Sequence, residues 1–311
     1  MPYSDRMQKS HLYSVFFAPR GFDRMADLGM QIAQQYLSPF DKIIGLVGSA
    51  GSGKSMMIKG MFPGLELVND DDGVNVRPLP LLSVGEEATG FYSPHTYHLD
   101  IHFEGAFTQM HELAQAILDA VNLGKRVIVE HFDLIYPFLN RNAHLLIGIG
   151  EEVIITRPTL FGPEPQDIAD IVFKSQTFRR MTHTAEDLCE WVMKKHGLTE
   201  PFLHADVRRG FLFSFQDKPE LQCSLEELEQ EVNVLIAQDI PISFHDDLHI
   251  RIGEELWLCH GPRMHVRSTG EIKEFTLNKE YLEEPITGRF LLVGVVGEQG
   301  HQKISDLNKI G

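Results

Sequence analysis

The stretch Lys42-Ile43-Ile44-Gly45-Leu46-Val47-Gly48-Ser49-Ala50-Gly51-Ser52-Gly53-Lys54-Ser55-Met56-Met57-Ile58-Lys59 decides the fold of the first half of this chain. A continuous apolar run reads as a buried strand, and the residues after Lys54 read as a helix. Between them stands the spacing G-x-x-x-x-G-K-S, a phosphate loop. Its glycines let successive backbone N–H groups turn inward on a polyphosphate, which then rests on a helix N-terminus. In this reading Gly48, Ser49, Ala50, Gly51, Ser52 and Gly53 cradle the phosphates. Lys54 reaches the β and γ phosphates, and the Ser55 hydroxyl holds Mg²⁺. The expected cofactors are therefore ATP or GTP with Mg²⁺.

Working outward, residues 22–36 carry Met25, Leu28, Ile32 and Ala33 at helical spacing, so a helix should pack beside the first strand. After Pro63-Gly64, residues 65–69 read as a second strand running into Asp70-Asp71-Asp72-Gly73. These acids either face the crevice at the strand ends, with Asp71 orienting an acceptor, or form a solvated turn. Residues 74–94, rich in Pro, Gly and Ser, read as a long loop over the site. Residues 95–103 alternate, placing His98, Asp100 and His102 on one strand face, either as a metal set or as a hydrogen-bonded polar face. An amphipathic helix over 107–122 stops at Gly124.

The run Val127-Ile128-Val129-Glu130-His131-Phe132-Asp133 is a short apolar strand closed by acids, as the second half of a nucleotide site requires. Glu130 is the first candidate to orient the metal shell or the attacking group, and Asp133 the second. Strands over 145–149 and 153–155 complete an alternation of strand and helix, which predicts a parallel α/β sheet.

The chain has 311 residues, 43% hydrophobic, with a net charge of −16. That length suggests two domains, here 1–175 and 176–311, with a hinge in the Pro-rich stretch 158–165. The acidic balance argues against broad nucleic-acid binding, so any such contact needs a local basic face. Lys174, Arg179, Arg180, Lys194, Lys195, Arg208 and Arg209 offer one, unless they are simply solvated. Three cysteines make no disulfide framework. With no signal-peptide pattern and no apolar run of membrane-spanning length, a soluble cytoplasmic protein is expected.

The second half opens on a connecting helix over 168–178. A helix capped by Thr182 follows, with His183 and Asp187 four apart on one face and a stop at Gly197. Ser224-Leu225-Glu226-Glu227 is a capping box opening another helix. Trp257-Leu258-Cys259-His260-Gly261-Pro262-Arg263-Met264-His265 then gathers a thiol and two imidazoles after a strand-like run.

Two family resemblances follow from these residues. The loop from Gly48 to Ser55, the Asp70 to Asp72 cluster and Val127-Ile128-Val129-Glu130 resemble P-loop kinases of the uridine kinase and phosphoribulokinase type, although His131 stands where that family has glycine. His183-Thr184-Ala185-x-x-Leu188, Arg209-Gly210-Phe211-Leu212-Phe213-Ser214-Phe215 and Cys259 with His265-Val266-Arg267-Ser268-Thr269-Gly270-Glu271-Ile272 resemble the second additional, editing-type domain of alanyl- and threonyl-tRNA synthetases.

These resemblances imply an α/β P-loop NTPase sheet followed by an α+β editing-like domain. They also imply a zinc held by His183, Asp187, Cys259 and His265 beside Thr269 and Glu271. Asp187 replaces a family histidine, and two extra residues separate Cys259 from His265; zinc accepts carboxylate oxygen, so the set stays chemically allowed, with His260 as a spare ligand. The implied function is binding of a nucleoside triphosphate coupled to hydrolysis or sensing of an aminoacyl-tRNA or related aminoacyl compound. A small-molecule kinase using Lys54 with Asp71 or Glu130, and a nucleotide-gated binding module without catalysis, are the alternatives. The sequence does not reach the oligomeric state.

Overall fold

A computed structural model describes residues 12–65, 67, 95–297 and 307–308. Apart from Leu65 and Leu67, the expected second strand lies outside the described residues. So do the Asp70 to Asp72 cluster with Asp71 and the loop over 74–94. The chain divides into two compact units, one of Met1–Ala18 with Phe22–Lys174, the other of Pro19–Gly21 with Ser175–Gly311.

In unit 1, the apolar run becomes β2 (Ile43–Val47), every residue of which is buried. It lies between β4 (Arg126–Glu130) and β5 (Leu145–Ile149), parallel to both, and β3 (Thr96–Asp100) adds a fourth parallel strand outside β4. Strands with both faces covered are apolar along their length, as β2 and β5 at the centre of the sheet are. The far edge is antiparallel. β6 (Glu152–Thr156) pairs with β5, and β1 (Ser14–Phe17) pairs with β6, giving the order β1-β6-β5-β2-β4-β3.

Helix α1 (Phe22–Tyr36) packs its buried Met25, Leu28 and Ile32 against α2 (Lys54–Met61), the helix that follows the glycine-rich loop. The two come close at glycines: a Cβ on Gly60 would stand 2.0 Å from the Ala26 carbonyl oxygen. The expected strand over 95–103 stops at Asp100. Its side chain accepts from the Phe103 N–H at 3.1 Å and caps a single helical turn, α3 (Ile101–Glu104). The alternating pattern of 101–103 is therefore helix, not strand, and His102 leaves the face that holds His98 and Asp100. Helices α4 (Met110–Asn122) and α5 (Phe132–Leu139) cover the same sheet.

The largest departure from the sequence reading is α6 (Pro165–Lys195), one helix of 31 residues that runs from unit 1 into unit 2. The unit boundary lies inside α6, between Lys174 and Ser175, rather than in the stretch 158–165. Thr182 is therefore an interior residue and not an N-cap. Every residue over 181–189 is buried, five of them polar: Thr182, His183, Thr184, Glu186 and Asp187. The apolar side of this stretch meets β8 (Gly210–Phe215), whose Phe211, Phe213 and Phe215 alternate onto one face and are fully buried.

β8 lies between β7 (Phe202–Val207) and β14 (Phe290–Val295), antiparallel to both, with β12 (Thr276–Leu277) and β13 (Leu282–Glu283) on β14. Helix α7 (Leu225–Ala237) opens on Ser224 with both capping-box hydrogen bonds made. A second sheet follows from β9 (Ile242–Asp246), β10 (His249–Ile252) and β11 (Glu255–Leu258). Among the described residues no helix is long and apolar enough to cross a membrane.

Candidate functional sites

The first site lies at the carboxyl ends of β2, β3 and β4. Gly51 and Gly53 adopt φ of +76° and +98°, conformations that glycine takes without a Cβ penalty, and they turn the loop over the start of α2. Lys54 is buried, and its ammonium donates to the Gly48 and Ser49 carbonyls at 3.1 and 3.0 Å. Its nitrogen also stands 3.7 Å from Glu130 Oε2. The Ser55 hydroxyl donates to Glu130 Oε1 at 3.3 Å, and His98 Nε2 lies 3.1 Å from the same oxygen.

Strand register explains this meeting. Leu46 and Asp100 are both Cα partners of Glu130, so the three strand ends arrive together. Burial by itself would raise the Glu130 pKa, but the His98 hydrogen bond and the Lys54 charge outweigh it and hold the carboxyl below the usual range. His131, immediately after, sits in the left-handed region at φ 57°. Burial, then the Lys54 charge, lowers its imidazole to about 4. Asp133 lies inside α5; burial raises its carboxyl, and its Oδ1 has no hydrogen-bond partner.

Lys54, Ser55 and Glu130 of the expected set thus stand together. His98, Asp100 and His102 do not form a metal set: His98 is bonded to Glu130, while Asp100, Glu130 and His131 bring potential ligand atoms within 4.8 Å of one another. Sequence reasoning missed that grouping because His131 follows a strand end, where only the left-handed turn brings its ring toward the carboxylates.

The second site brings together all four residues predicted for it. Ligand atoms of His183, Asp187, Cys259 and His265 lie within 4.8 Å of one another. Cys259 Sγ is 3.4 Å from His183 Nε2 and 3.7 Å from His265 Nε2. In a tetrahedron with Zn–S near 2.3 Å and Zn–N near 2.05 Å, the sulfur–nitrogen edge is about 3.6 Å, so these spacings fit zinc. The Gly261 N–H donates to Cys259 Sγ at 3.3 Å.

The outer nitrogens strengthen the fit. His183 Nδ1 is 3.2 Å from the Met264 carbonyl and His265 Nδ1 is 3.3 Å from the Pro262 carbonyl. Each Nδ1–H therefore donates to backbone, which leaves each Nε2 lone pair facing the cluster. His265 Nε2 then stands 2.7 Å from Asp187 Oδ2, a pairing that needs a proton or a cation between them. Burial, followed by the neighbouring His265, Arg20 and Arg179, holds the His183 imidazole well below its ordinary range. Burial and Asp187 push the Cys259 thiol up. His265 points inward, so His260 is not called on. Thr269 is committed elsewhere: its hydroxyl donates to the Leu235 carbonyl at 2.7 Å and accepts from the Ile240 N–H at 2.9 Å. Glu271 accepts from the Arg267 N–H at 3.2 Å.

Beside Asp187, Glu186 meets buried Arg20, a residue the sequence reading did not single out. Arg20 Nε is 2.7 Å from Glu186, Arg20 Nη1 is 2.7 Å from Asp206, and His204 Nδ1 is 2.8 Å from Glu186. No local pattern marks Arg20, because its partners lie more than 160 residues away. Of the basic residues considered for a nucleic-acid contact, Lys194 and Lys195 lie over Trp257 and Trp191, Arg209 lies over Phe178, and Arg179 is buried, donating to the Pro19 carbonyl.

No protein-family model and no curated protein matches this chain. Among solved structures, DndA from Streptomyces lividans aligns over 91% of this chain and 83% of its own, at 10% identity and a TM-score of 0.26. Likeness at that level carries no argument about fold or function.

Proposed function

We propose that unit 1 binds a nucleoside triphosphate with Mg²⁺ on residues 48–55, and that unit 2 holds zinc and hydrolyses or senses an aminoacyl-tRNA or related aminoacyl compound. The observation that carries the second half is the convergence of His183, Asp187, Cys259 and His265 with both outer imidazole nitrogens tied to carbonyls. Zinc there would polarise an ester carbonyl or supply a bound water of lowered pKa. His183 and His265 present neutral nitrogens, Asp187 and Cys259 supply the negative donors, and the shell bonds fix their directions.

The first half is supported by Lys54. Its carbonyl partners on residues 48 and 49 hold it over the loop, beside the Ser55 and Glu130 pair that would meet a cation. A phosphotransfer reading is favoured by the same pair, since Glu130 is kept ionised where an acceptor hydroxyl would be oriented.

Two measurements test the proposal. Titration with Mg·ATP and Mg·GTP should show saturable binding that Lys54→Ala weakens at least about tenfold; unchanged affinity removes the loop assignment. Protein purified without chelator should carry zinc that Cys259→Ala loses, and should release serine or glycine from mischarged alanine tRNA. Zinc-loaded protein with rates equal to buffer leaves only the sensing role.

A further inference from the structure

A second ligand set lies in unit 1, chemically unlike the one in unit 2. Asp100 and Glu130 are Cα partners at the ends of adjacent parallel strands, so their side chains share one face of the sheet. Both are buried, at 6% and 2% exposure. The chain then turns at His131 with φ 57° and ψ 46° before entering α5. A non-glycine residue in that region costs on the order of 1 kcal/mol, which glycine would avoid. Here the turn places an imidazole nitrogen and two carboxylate oxygens within 4.8 Å of one another.

We propose that Asp100, Glu130 and His131 bind a divalent first-row transition ion of the manganese(II) or iron(II) type. Mg²⁺ is held by oxygen donors in near-ideal octahedra, and an imidazole in the set turns preference toward ions that accept nitrogen. Two carboxylates balance a 2+ charge without a thiolate, which separates this set from the softer one of Cys259. Glu130 also accepts from Ser55, so an ion here adjoins the hydroxyl assigned to the nucleotide's metal. The role of the ion rests on the nucleotide reading; its binding does not, and is measured without nucleotide.

The experiment uses the full chain, loaded with a single equivalent of zinc that the thiolate-containing set of unit 2 takes first, titrated with Mn²⁺ and followed by electron paramagnetic resonance with nitrogen spin-echo modulation. The expected result is a bound Mn²⁺ carrying imidazole ¹⁴N modulation, displaced by Mg²⁺ only in large excess. His131→Gly, which suits the left-handed backbone and keeps the melting temperature, abolishes the modulation and weakens Mn²⁺ by about 10- to 100-fold. Asp100→Asn weakens Mn²⁺ over the same range. Modulation that persists in His131→Gly, affinity unchanged in both variants, or Mg²⁺ competing on equal terms would each overturn the assignment. A Mn²⁺ site with these properties in protein that binds no nucleotide upholds the inference and removes the nucleotide reading.

Discussion

Replacing Gly60 by alanine tests the packing that sets the helix after the glycine-rich loop. The new Cβ would lie 2.0 Å from the Ala26 oxygen, 2.7 Å from its carbonyl carbon and 2.9 Å from its Cα. A relaxed carbon–oxygen contact is about 3.3 Å, so α1 and α2 must part by about 1 Å. Alanine returns about 1 kcal/mol of helix propensity. Against this, overpacking costs about 1–3 kcal/mol, and the upper end applies because the obstacle is backbone rather than a movable side chain. Parting the helices also loosens Met25, Leu28, Ile32, Met57 and Ile58, and a gap of 0.5–1 Å forfeits roughly a quarter to a half of each contact. The net loss is about 2 kcal/mol, or about 4–8 °C in the melting of a unit this size. Calorimetry on the full chain reads the shift. Because α2 begins at Lys54, Mg·ATP affinity should fall with it. Gly124→Ala is the contrast: at φ +79° with nothing within 4 Å, it brings strain without a clash and leaves nucleotide affinity alone. A Gly60→Ala protein that melts at or above wild type would refute the close helix contact.

Glu130→Gln should cost about 1–3 kcal/mol at neutral pH, since the Ser55 and His98 partners lose a charged acceptor. The folded pKa of Glu130 is depressed, so its contribution is present above the unfolded value near 4.3 and is lost as pH falls through the folded one. Denaturant midpoints should therefore converge for the two proteins below about pH 4, and a gap that widens in acid would contradict this. Zinc uptake by unit 2 should release about two protons, one from the raised Cys259 thiol and one held between His265 and Asp187, whereas His183 is already neutral. Calorimetry in buffers of different ionisation enthalpy counts them, and a value near one would mean that the thiol is not a ligand. Ser224→Ala removes a complete capping box and should lower stability by about 1 kcal/mol; no change in urea midpoint would argue against the cap.

The parts of the fold legible in the sequence are those where one local rule dominates. Ile43 to Val47 is apolar without a break because both faces of β2 are covered, and Ser224 with Glu227 satisfies two N–H groups within one turn. The strand after Gly124 and the glycine turns of the loop are equally local. Alternation misled at residues 101–103, where a period of two continues past the strand. There the Asp100 cap bends the chain into helix regardless of the pattern. Thr182 misled in the same way, since a residue suited to an N-cap says nothing about whether the helix is already running.

Helix α6 shows why the rest was hidden. Periodicity arguments assume one apolar face toward the core and one wet face toward water. Over 181–189 neither face is wet, and polar side chains are buried by chemistry instead of hydration: Glu186 by Arg20 and His204, Asp187 by His265, and His183 by the Met264 carbonyl and Cys259. Buried charge is tolerated only when paired, so each such residue requires a partner that no local window contains. The spacing of His183 and Asp187 placed them on one helix face, and their role as ligands came from the resemblance to the editing-type domain. The roles of Arg20 and His131 could not be found in this way, because each answers to atoms delivered by elements distant in the sequence. What such residues expose to reading is a debt of unpaired polarity: five buried polar side chains within nine residues of a helix already imply a charged or metal-filled counterpart.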